Sequence, residues 1–111
     1  MKASEEIERF VAGCVRRIEN GYHPERIILF GSYAYGQPSE DSDVDFLIVK
    51  STKDRPFDRR LQVARLISDP HRAVPVDLFV LTPEEIEDRL DAGDQFLQEI
   101  LDKGEVVYAR E

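Results

Sequence analysis

The sequence predicts a two-layer α/β domain in which helices pack against a small mixed β-sheet. Near the N-terminus, apolar residues recur every three or four positions, which is the spacing of one face of a helix. Three runs of β-branched and apolar residues follow, separated by turn residues or by another helical pattern. Strands and helices that alternate in this way form layered α/β folds, and 111 residues suffice for one core, so we expect a single domain over residues 1–111.

The first helix is predicted over residues 4–20. Ser4 is a favourable N-cap because its hydroxyl can accept a hydrogen bond from the first turn, and Gly21 is expected to end the helix. The apolar stripe of this helix consists of Ile7, Phe10, Val11, Cys14, Val15 and Ile18. Cys14 is the only cysteine, so no intramolecular disulfide can form, and its place on the stripe indicates a buried side chain.

Two strands follow the first helix. The run RIILF, Arg26–Phe30, predicts the first strand, which ends at Gly31. The next segment, SYAYG, allows at most one helical turn before Gly36 and Pro38. A second strand is predicted over residues 43–50, and both of its faces become apolar after the first residues, which is typical of a central strand.

The C-terminal half continues the alternation. A helix is predicted over residues 56–68, because a proline suits its first position and apolar residues recur at helical spacing. The run VPVDLFVL predicts a third strand over residues 74–81, with Pro75 marking its beginning.

Two short helices and a final strand complete the predicted fold. Thr82 and Glu85 have the spacing of a capping box, so a helix is expected to begin there. The two helices are expected to be separated near Gly93 and to end at Gly104. The last run, Glu105–Ala109, is short and flanked by charge, which favours a strand at the edge of the sheet.

The charge balance limits the classes of substrate. With 15 Lys and Arg against 23 Asp and Glu, the formal net charge is -8, which repels a nucleic acid backbone and argues against a free nucleic acid substrate. We see neither an apolar stretch long enough to cross a membrane nor the features of a signal peptide, so we expect no membrane partner and a cytoplasmic location. The sequence is compatible with a homo-oligomer.

Three aspartates interrupt the apolar strands. Asp43 and Asp45 alternate along the second strand, so their carboxylates lie on one face, at the start of the apolar run 46–49. Asp77 is an isolated acid within the third strand, VPVDLFV, at a position where a purely structural residue would be apolar or threonine. If the third strand lies beside the second, the three carboxylates converge.

Such a cluster suits Mg²⁺, which takes hard oxygen ligands and completes its coordination with water and phosphate oxygens. Two ions about 3.5–4 Å apart can clamp the attacking and leaving oxygens of a phosphoryl transfer. Asp43, Asp45 and Asp77 are therefore the candidate ligands of two Mg²⁺ ions and the candidate catalytic residues. Asp77 is also the candidate base that accepts a proton from an attacking hydroxyl.

A Gly-Ser pair follows the first strand. Gly31 allows the backbone to approach a phosphate, and the next amides and the Ser32 hydroxyl can donate to its oxygens, so both residues are candidates for nucleotide binding. Taken singly, a Gly-Ser turn and an Asp-Ser-Asp loop are common surface features. Their occurrence with an acid in a third strand is what favours a metal-dependent site.

Gly31-Ser32, a ten-residue spacer, Asp43-Val44-Asp45 and the later Asp77 together resemble the signature of the nucleotidyltransferase superfamily with a DNA-polymerase-β-like palm. Over roughly residues 5–109 the chain is most similar to the minimal nucleotidyltransferases of prokaryotes. The resemblance implies that Gly31 and Ser32 hold the phosphates of ATP or another nucleoside triphosphate. It also implies that the three aspartates bind Mg²⁺.

The resemblance further implies a protein partner. Relatives of this size often act beside a small helical protein of the HEPN class, and some transfer AMP to a tyrosine of that toxin. Many relatives have arginine at two positions of the Gly-Ser turn where this chain has Tyr33 and Tyr35. At least one of these tyrosines is interpreted as closing the edge of the core. The alternative is that the tyrosines stack on a base.

Three functions remain open. The first is transfer of a nucleoside monophosphate, AMP by preference, to a protein hydroxyl with release of pyrophosphate. The second is a non-catalytic antitoxin that neutralises its partner by forming a stoichiometric complex. The third, transfer to a small molecule as in the aminoglycoside-modifying relatives, ranks lowest because those enzymes use an additional helical domain to hold the antibiotic.

Overall fold

Five helices and four strands alternate along residues 4–39, 42–72 and 74–111, which the computed structural model describes. In chain order these elements are α1 (Glu5–Tyr22), β1 (Arg26–Phe30), α2 (Ser32–Tyr35), β2 (Val44–Val49), α3 (Pro56–Leu66), β3 (Val76–Leu81), α4 (Pro83–Asp91), α5 (Gln95–Lys103) and β4 (Glu105–Ala109).

The four strands form one mixed sheet in the order β3-β2-β1-β4. β1 pairs with both β2 and β4 in antiparallel orientation, whereas β2 and β3 run parallel. The parallel pair requires a crossover, and α3 supplies it. The predicted fold class is confirmed, and so are the central position of β2 and the edge position of β4.

Apolar side chains cover both faces of the sheet. On one face, Phe46 of β2 belongs to the larger core cluster, together with residues of α1 and α3 such as Cys14 and Val63. On the other face, Leu47 packs in a smaller cluster with Leu97 and Ile100 of α5. β2 is therefore buried on both sides, as its sequence predicts, and Cys14 is buried as expected.

α1 ends later than the sequence predicts. Gly21, the expected stop, lies within the helix, and His23 (φ 54°) is the C-cap. The reason is packing, because a Cβ atom at Gly21 would collide with the side chain of Leu66 in α3. The glycine lets α1 and α3 approach closely. Near the end of α1, the Lys50 ammonium donates to the Tyr22 carbonyl and lies 4.7 Å from the centroid of the Tyr22 ring.

β2 and β3 begin later than predicted, at Val44 and Val76 rather than at residues 43 and 74. Pairing starts with the Val44 amide, which donates to the Pro75 carbonyl over 3.0 Å. Pro75 has no amide hydrogen to donate, so the ladder cannot extend symmetrically before it. Asp43 therefore lies just before the strand. α3 also ends at Leu66, two residues before the predicted end.

The predicted helix caps are present. Ser4 accepts a hydrogen bond from the Ile7 amide over 3.3 Å, and Thr82 and Glu85 form the reciprocal capping box. Gly93 has a positive φ of 84° between α4 and α5, and Gly104 is the C-cap of α5. Within the described residues, no helix combines the length and the apolarity that crossing a membrane requires.

A buried arginine joins α3, β3 and α4. The Arg59 side chain, of which 7% is exposed, donates to the Asp54 carbonyl (2.7 Å), to the Val80 carbonyl (3.3 Å) and to the Glu85 carboxylate (2.7 Å). Although burial acts in the opposite direction, the hydrogen bond and the charge of Arg59 lower the pKa of Glu85 below its ordinary value. The same carboxylate completes the capping box with Thr82.

We expect Arg59→Ala to lower the free energy of unfolding by about 2–3 kcal/mol, because it leaves two backbone carbonyls and a partly buried carboxylate without their donor. Urea denaturation of the variant and the wild type measures the change. Arg60→Ala, at the adjacent exposed position, is the matched control and should shift the value by less than about 0.5 kcal/mol. Equal effects of the two substitutions would contradict this structural role of Arg59.

Candidate active site

The parallel register of β2 and β3 brings two of the predicted aspartates together. Asp45 is aligned with Asp77 on β3, and on its other side it is aligned with Phe30 of β1. Aligned residues of neighbouring strands project to the same face, so the two carboxylates are side by side. Asp43 precedes β2 by one residue. Asp43 and Asp45 are half-buried, and Asp77 is exposed.

The three carboxylates interact electrostatically. Burial, followed by the charges of Asp77 and Asp43 and a hydrogen bond with Asp77, raises the pKa of Asp45 from 3.8 to about 6. Desolvation, followed by the charge of Asp77 and a hydrogen bond with it, also raises the pKa of Asp43. Asp77 thus contacts both of the other acids. The convergence expected from the sequence is present.

Gly31 lies directly against this cluster. Its backbone has φ 79° and ψ -162°, a conformation that is essentially restricted to glycine. A Cβ atom at this position would collide with Oδ2 of Asp45. Both the backbone conformation and the contact with Asp45 therefore require glycine here. The turn that the sequence predicts as phosphate-binding therefore lies directly beside the paired acids.

The residues after Gly31 form the single helical turn α2. The Gly31 carbonyl accepts from the Tyr35 amide over 3.0 Å, and Ser32, which is half-buried, begins the turn. Tyr33 belongs to the larger core cluster and is 6% exposed, so its role is structural, as interpreted for at least one of the tyrosines. Tyr35 is 36% exposed and remains available to a ligand.

The donor set suits Mg²⁺. Three carboxylates supply hard oxygen ligands, and a divalent cation among them would relieve the repulsion that, after burial, raises the pKa values of Asp43 and Asp45. In the described part of the chain, no group of three or more His, Cys, Asp and Glu side chains has the geometry of a metal site.

An aromatic cluster beside the acids was not anticipated from the sequence. The ring centroids of Phe30, Phe79 and Phe96 are 5.7 to 6.1 Å apart. Phe30 is aligned with Asp45, and Phe79 follows Asp77 by two residues on the same face of β3. Phe79 and Phe96 are 41% and 54% exposed. Strand alternation could have indicated Phe79, but only the packing of α5 on the sheet reveals Phe96.

Comparisons with known proteins concern the family and the fold of the chain. A sequence model of the family described as polymerase beta, nucleotidyltransferase, matches residues 14–111. The chain is similar to the crystal structure of a candidate nucleotidyltransferase from Sulfolobus solfataricus, with a TM-score of 0.58 and 24% identity over 98% of this chain and 91% of that chain.

The chain is also similar to a chain in a crystal structure of a toxin–antitoxin with AMP-PNP, with a TM-score of 0.62 and 19% identity. That match covers 90% of this chain and 73% of the other. At these identities the two structural likenesses concern the fold alone. No curated protein sequence matches the chain with statistical significance.

We expect Gly31→Ala to destabilise the protein by about 2 kcal/mol or more and to displace the Asp45 carboxylate, since the new Cβ atom meets this carboxylate and the backbone is strained. Thermal denaturation and a crystal structure of the variant measure the two effects. The control is Gly13→Ala, because Gly13 lies within α1 and a Cβ atom there meets no atom within 4 Å. This control should stabilise the helix by about 0.5–1 kcal/mol. Similar behaviour of the two variants would contradict the role of Gly31.

The raised pKa of Asp45 predicts that the metal-free protein becomes less stable as the pH rises. Between the ordinary carboxyl pKa of 3.8 and the folded-state value of about 6, the folded state binds more protons than the unfolded state, so the free energy of unfolding falls across this range. The loss continues as the pH rises through the folded-state pKa of about 6, and it amounts to about 1 kcal/mol because Asp45 is partly solvated.

Melting temperatures in EDTA from pH 4 to pH 8 test this expectation. Asp45→Asn should be more stable than the wild type at pH 7 and should lack the loss, whereas Asp88→Asn, at an exposed position on α4, should follow the wild type.

Mg²⁺ should restore the stability of the wild type at pH 7, by about 2.7 kcal/mol at 100 times its dissociation constant. A wild-type melting temperature that responds neither to pH in this range nor to Mg²⁺ would refute the carboxylate cluster as a metal site.

Proposed function

This chain belongs to the polymerase beta nucleotidyltransferase family, and from that premise we propose that it transfers AMP from ATP to a tyrosine hydroxyl of a partner toxin of the HEPN class. The observation that carries the proposal is the in-register pair of Asp45 and Asp77, with Asp43 and Gly31 against it. A neighbour in fold was crystallised as a toxin–antitoxin with AMP-PNP, which supports a nucleotide substrate and a protein partner. The proposal treats residues 1–111 as one domain.

The nucleotide is held from two sides. The backbone of Gly31 and the hydroxyl of Ser32 receive oxygens of the triphosphate, because no side chain at Gly31 blocks their approach. The exposed rings of Phe79 and Phe96 offer the base an apolar surface next to the acids. The reaction is placed in the cytoplasm, which supplies ATP and Mg²⁺.

The carboxylates of Asp43, Asp45 and Asp77 would hold two Mg²⁺ ions, which would supply charge neutralisation and in-line orientation of the phosphates. Asp45 is suited to a fixed position, because it is half-buried and confined by Gly31 and Asp77. Asp77 is suited to contact the acceptor, because it is exposed and lies on the edge strand β3.

The transfer is a single displacement. The acceptor oxygen forms a bond to the α-phosphorus, the bond from this phosphorus to the oxygen that bridges to the β-phosphate breaks, and pyrophosphate leaves. The proton of the acceptor hydroxyl passes to the carboxylate of Asp77, which acts as the general base. Asp77 must therefore lie within hydrogen-bond distance of the hydroxyl when the acceptor is bound.

A non-catalytic antitoxin is the second candidate, because a toxin–antitoxin structure among the neighbours in fold is equally compatible with inhibition by complex formation. In that case the carboxylates would serve only as a nucleotide or metal site. The two candidates differ in one respect, since only the enzyme requires the carboxylates for protection against the partner.

We expect the purified protein, incubated with α-labelled ATP, Mg²⁺ and its co-purified partner, to place label on a tyrosine of the partner. The double variant Asp43→Asn/Asp45→Asn should lower the rate of labelling by at least about 10³-fold, because it removes two charges that hold the metal ions. Mass spectrometry identifies the labelled residue. The double variant Asp88→Asn/Asp91→Asn removes the same charge from exposed positions of α4 and should label the partner at the wild-type rate.

Protection of cells that express the partner separates the two candidates. Under the enzymatic proposal, only the wild type and the α4 double variant protect. If the Asp43→Asn/Asp45→Asn variant still binds the partner and protects cells without any label, the enzymatic proposal is wrong and the protein acts as a stoichiometric antitoxin.

A further inference from the structure

A groove runs along the outer edge of β3, next to the candidate base. It has a volume of about 220 Å³ and is lined by β3 from Asp77 to Leu81, by Arg60 of α3 and by Arg89 of α4. We call it the edge groove. Because β3 is an edge strand of the sheet, one side of its backbone faces this groove rather than a neighbouring strand.

The hydrogen bonds between β2 and β3 determine which backbone groups of β3 face the edge groove. The Val44 amide of β2 donates to the Pro75 carbonyl, and the amide of Lys50, the residue after β2, donates to the Leu81 carbonyl. Since consecutive strand residues direct their N–H and C=O groups to opposite sides, those of the even-numbered residues, Val76, Leu78 and Val80, face outwards.

On the outer edge of β3, a backbone group at the C-terminal end has a hydrogen-bond partner, whereas those nearer Asp77 are open to a further strand. The Val80 carbonyl accepts from the buried Arg59. Among the residues that the structure describes, the outward groups of Val76 and Leu78 have no partner. The open half therefore flanks Asp77, and an open strand edge is a template for another strand.

The walls of the edge groove are basic in an otherwise acidic chain. Arg60 and Arg89 are exposed, and neither forms an ion pair within residues 4–39, 42–72 and 74–111. The net charge of the whole chain is -8. Two unpaired guanidinium groups on opposite sides of a strand edge favour a ligand that carries carboxylates.

Apolar side chains extend the edge groove on the side of α3. Phe57 is 70% exposed and Leu61 is 37% exposed. With Val76 and Leu78 they line an adjoining pocket of about 240 Å³, which shares Arg60 with the edge groove. A strand laid along β3 would direct alternate side chains towards this pocket.

We propose that the edge groove binds an extended, acidic segment of the acceptor protein, which adds to β3 as a further strand and places its tyrosine next to Asp77. The main-chain groups of Val76 and Leu78 would supply hydrogen bonds, and Arg60 and Arg89 would bind acidic side chains of the segment. This inference rests on the proposed function, because it names the surface by which the acceptor reaches the site.

A binding measurement without nucleotide tests the proposal independently of catalysis. The probe is a fluorescein-labelled random copolymer of glutamate and tyrosine, titrated with the protein and followed by fluorescence anisotropy. We expect the wild type to bind it, although the net charge of the protein opposes this. A lysine–tyrosine copolymer that binds the wild type while the glutamate copolymer does not would overturn the proposal.

Charge reversal locates the binding surface. Arg60→Glu/Arg89→Glu should weaken binding of the glutamate–tyrosine copolymer by at least about tenfold. Arg16→Glu/Arg65→Glu makes the same change in net charge at exposed positions of α1 and α3 and should weaken it by less than about threefold at 0.15 M salt, where distant surface charges are screened. Equal losses in both double variants would show that the edge groove is not the binding surface.

Amide hydrogen exchange, followed by NMR, tests strand addition itself. The outward Leu78 amide should exchange rapidly in the free protein and slowly with the copolymer bound, whereas the inward Phe79 amide should be protected in both states. Binding that leaves the exchange of Leu78 unchanged would refute an added strand.

Labelling separates failure of this inference from failure of the proposed function. If the copolymer binds in the edge groove but neither it nor the partner receives label, nucleotide transfer is wrong and the docking surface stands. If the partner is labelled at an equal rate by the wild type and by Arg60→Glu/Arg89→Glu, transfer stands and the docking proposal is wrong.

Discussion

The parallel pairing of β2 with β3 is the constraint on which the candidate site depends. It aligns Asp45 with Asp77, although burial and then the neighbouring negative charge raise the pKa of Asp45. The pairing persists because β2 is an apolar strand covered on both faces, so the two clusters of buried side chains fix its position. Stability of the core therefore maintains an arrangement that is locally unfavourable.

Two contacts, one on each side of the β2–β3 pair, further restrict the positions of Asp45 and Asp77. On the side of β1, Gly31 leaves room for the Asp45 carboxylate and no other residue would. On the outer side, Arg59 holds β3 to α3 and α4 through the Val80 carbonyl and Glu85. An edge strand with a partner on one side only is otherwise the least constrained strand of a sheet. Arg59 thus supports the position of Asp77 from the opposite end of β3.

Most elements and the carboxylate cluster could be predicted from the sequence, because they depend on local patterns such as alternation, capping residues and acids within apolar runs. Helix and strand ends were less predictable where packing decides them. Gly21 predicts the end of the first helix, yet it lies within α1 because Leu66 packs against it. The sequence could not reveal Phe96 beside Phe30, or the contacts of Arg59, since both depend on how α4 and α5 pack against the sheet.

The proposed function requires an acidic chain to hold an anionic nucleotide. Burial, followed by repulsion from the neighbouring carboxylates, raises the pKa values of Asp43 and Asp45, and a divalent cation would relieve that repulsion. Binding of the cation and binding of the triphosphate are therefore expected to be coupled, because each reduces the electrostatic penalty that the other meets. Arg60 and Arg89 line the edge groove together with Asp77, so basic side chains that can attract an acidic acceptor lie directly beside the acids. Under the proposed function, the nucleotide occupies the face of the sheet that carries the acids, and the acceptor approaches along the edge strand β3.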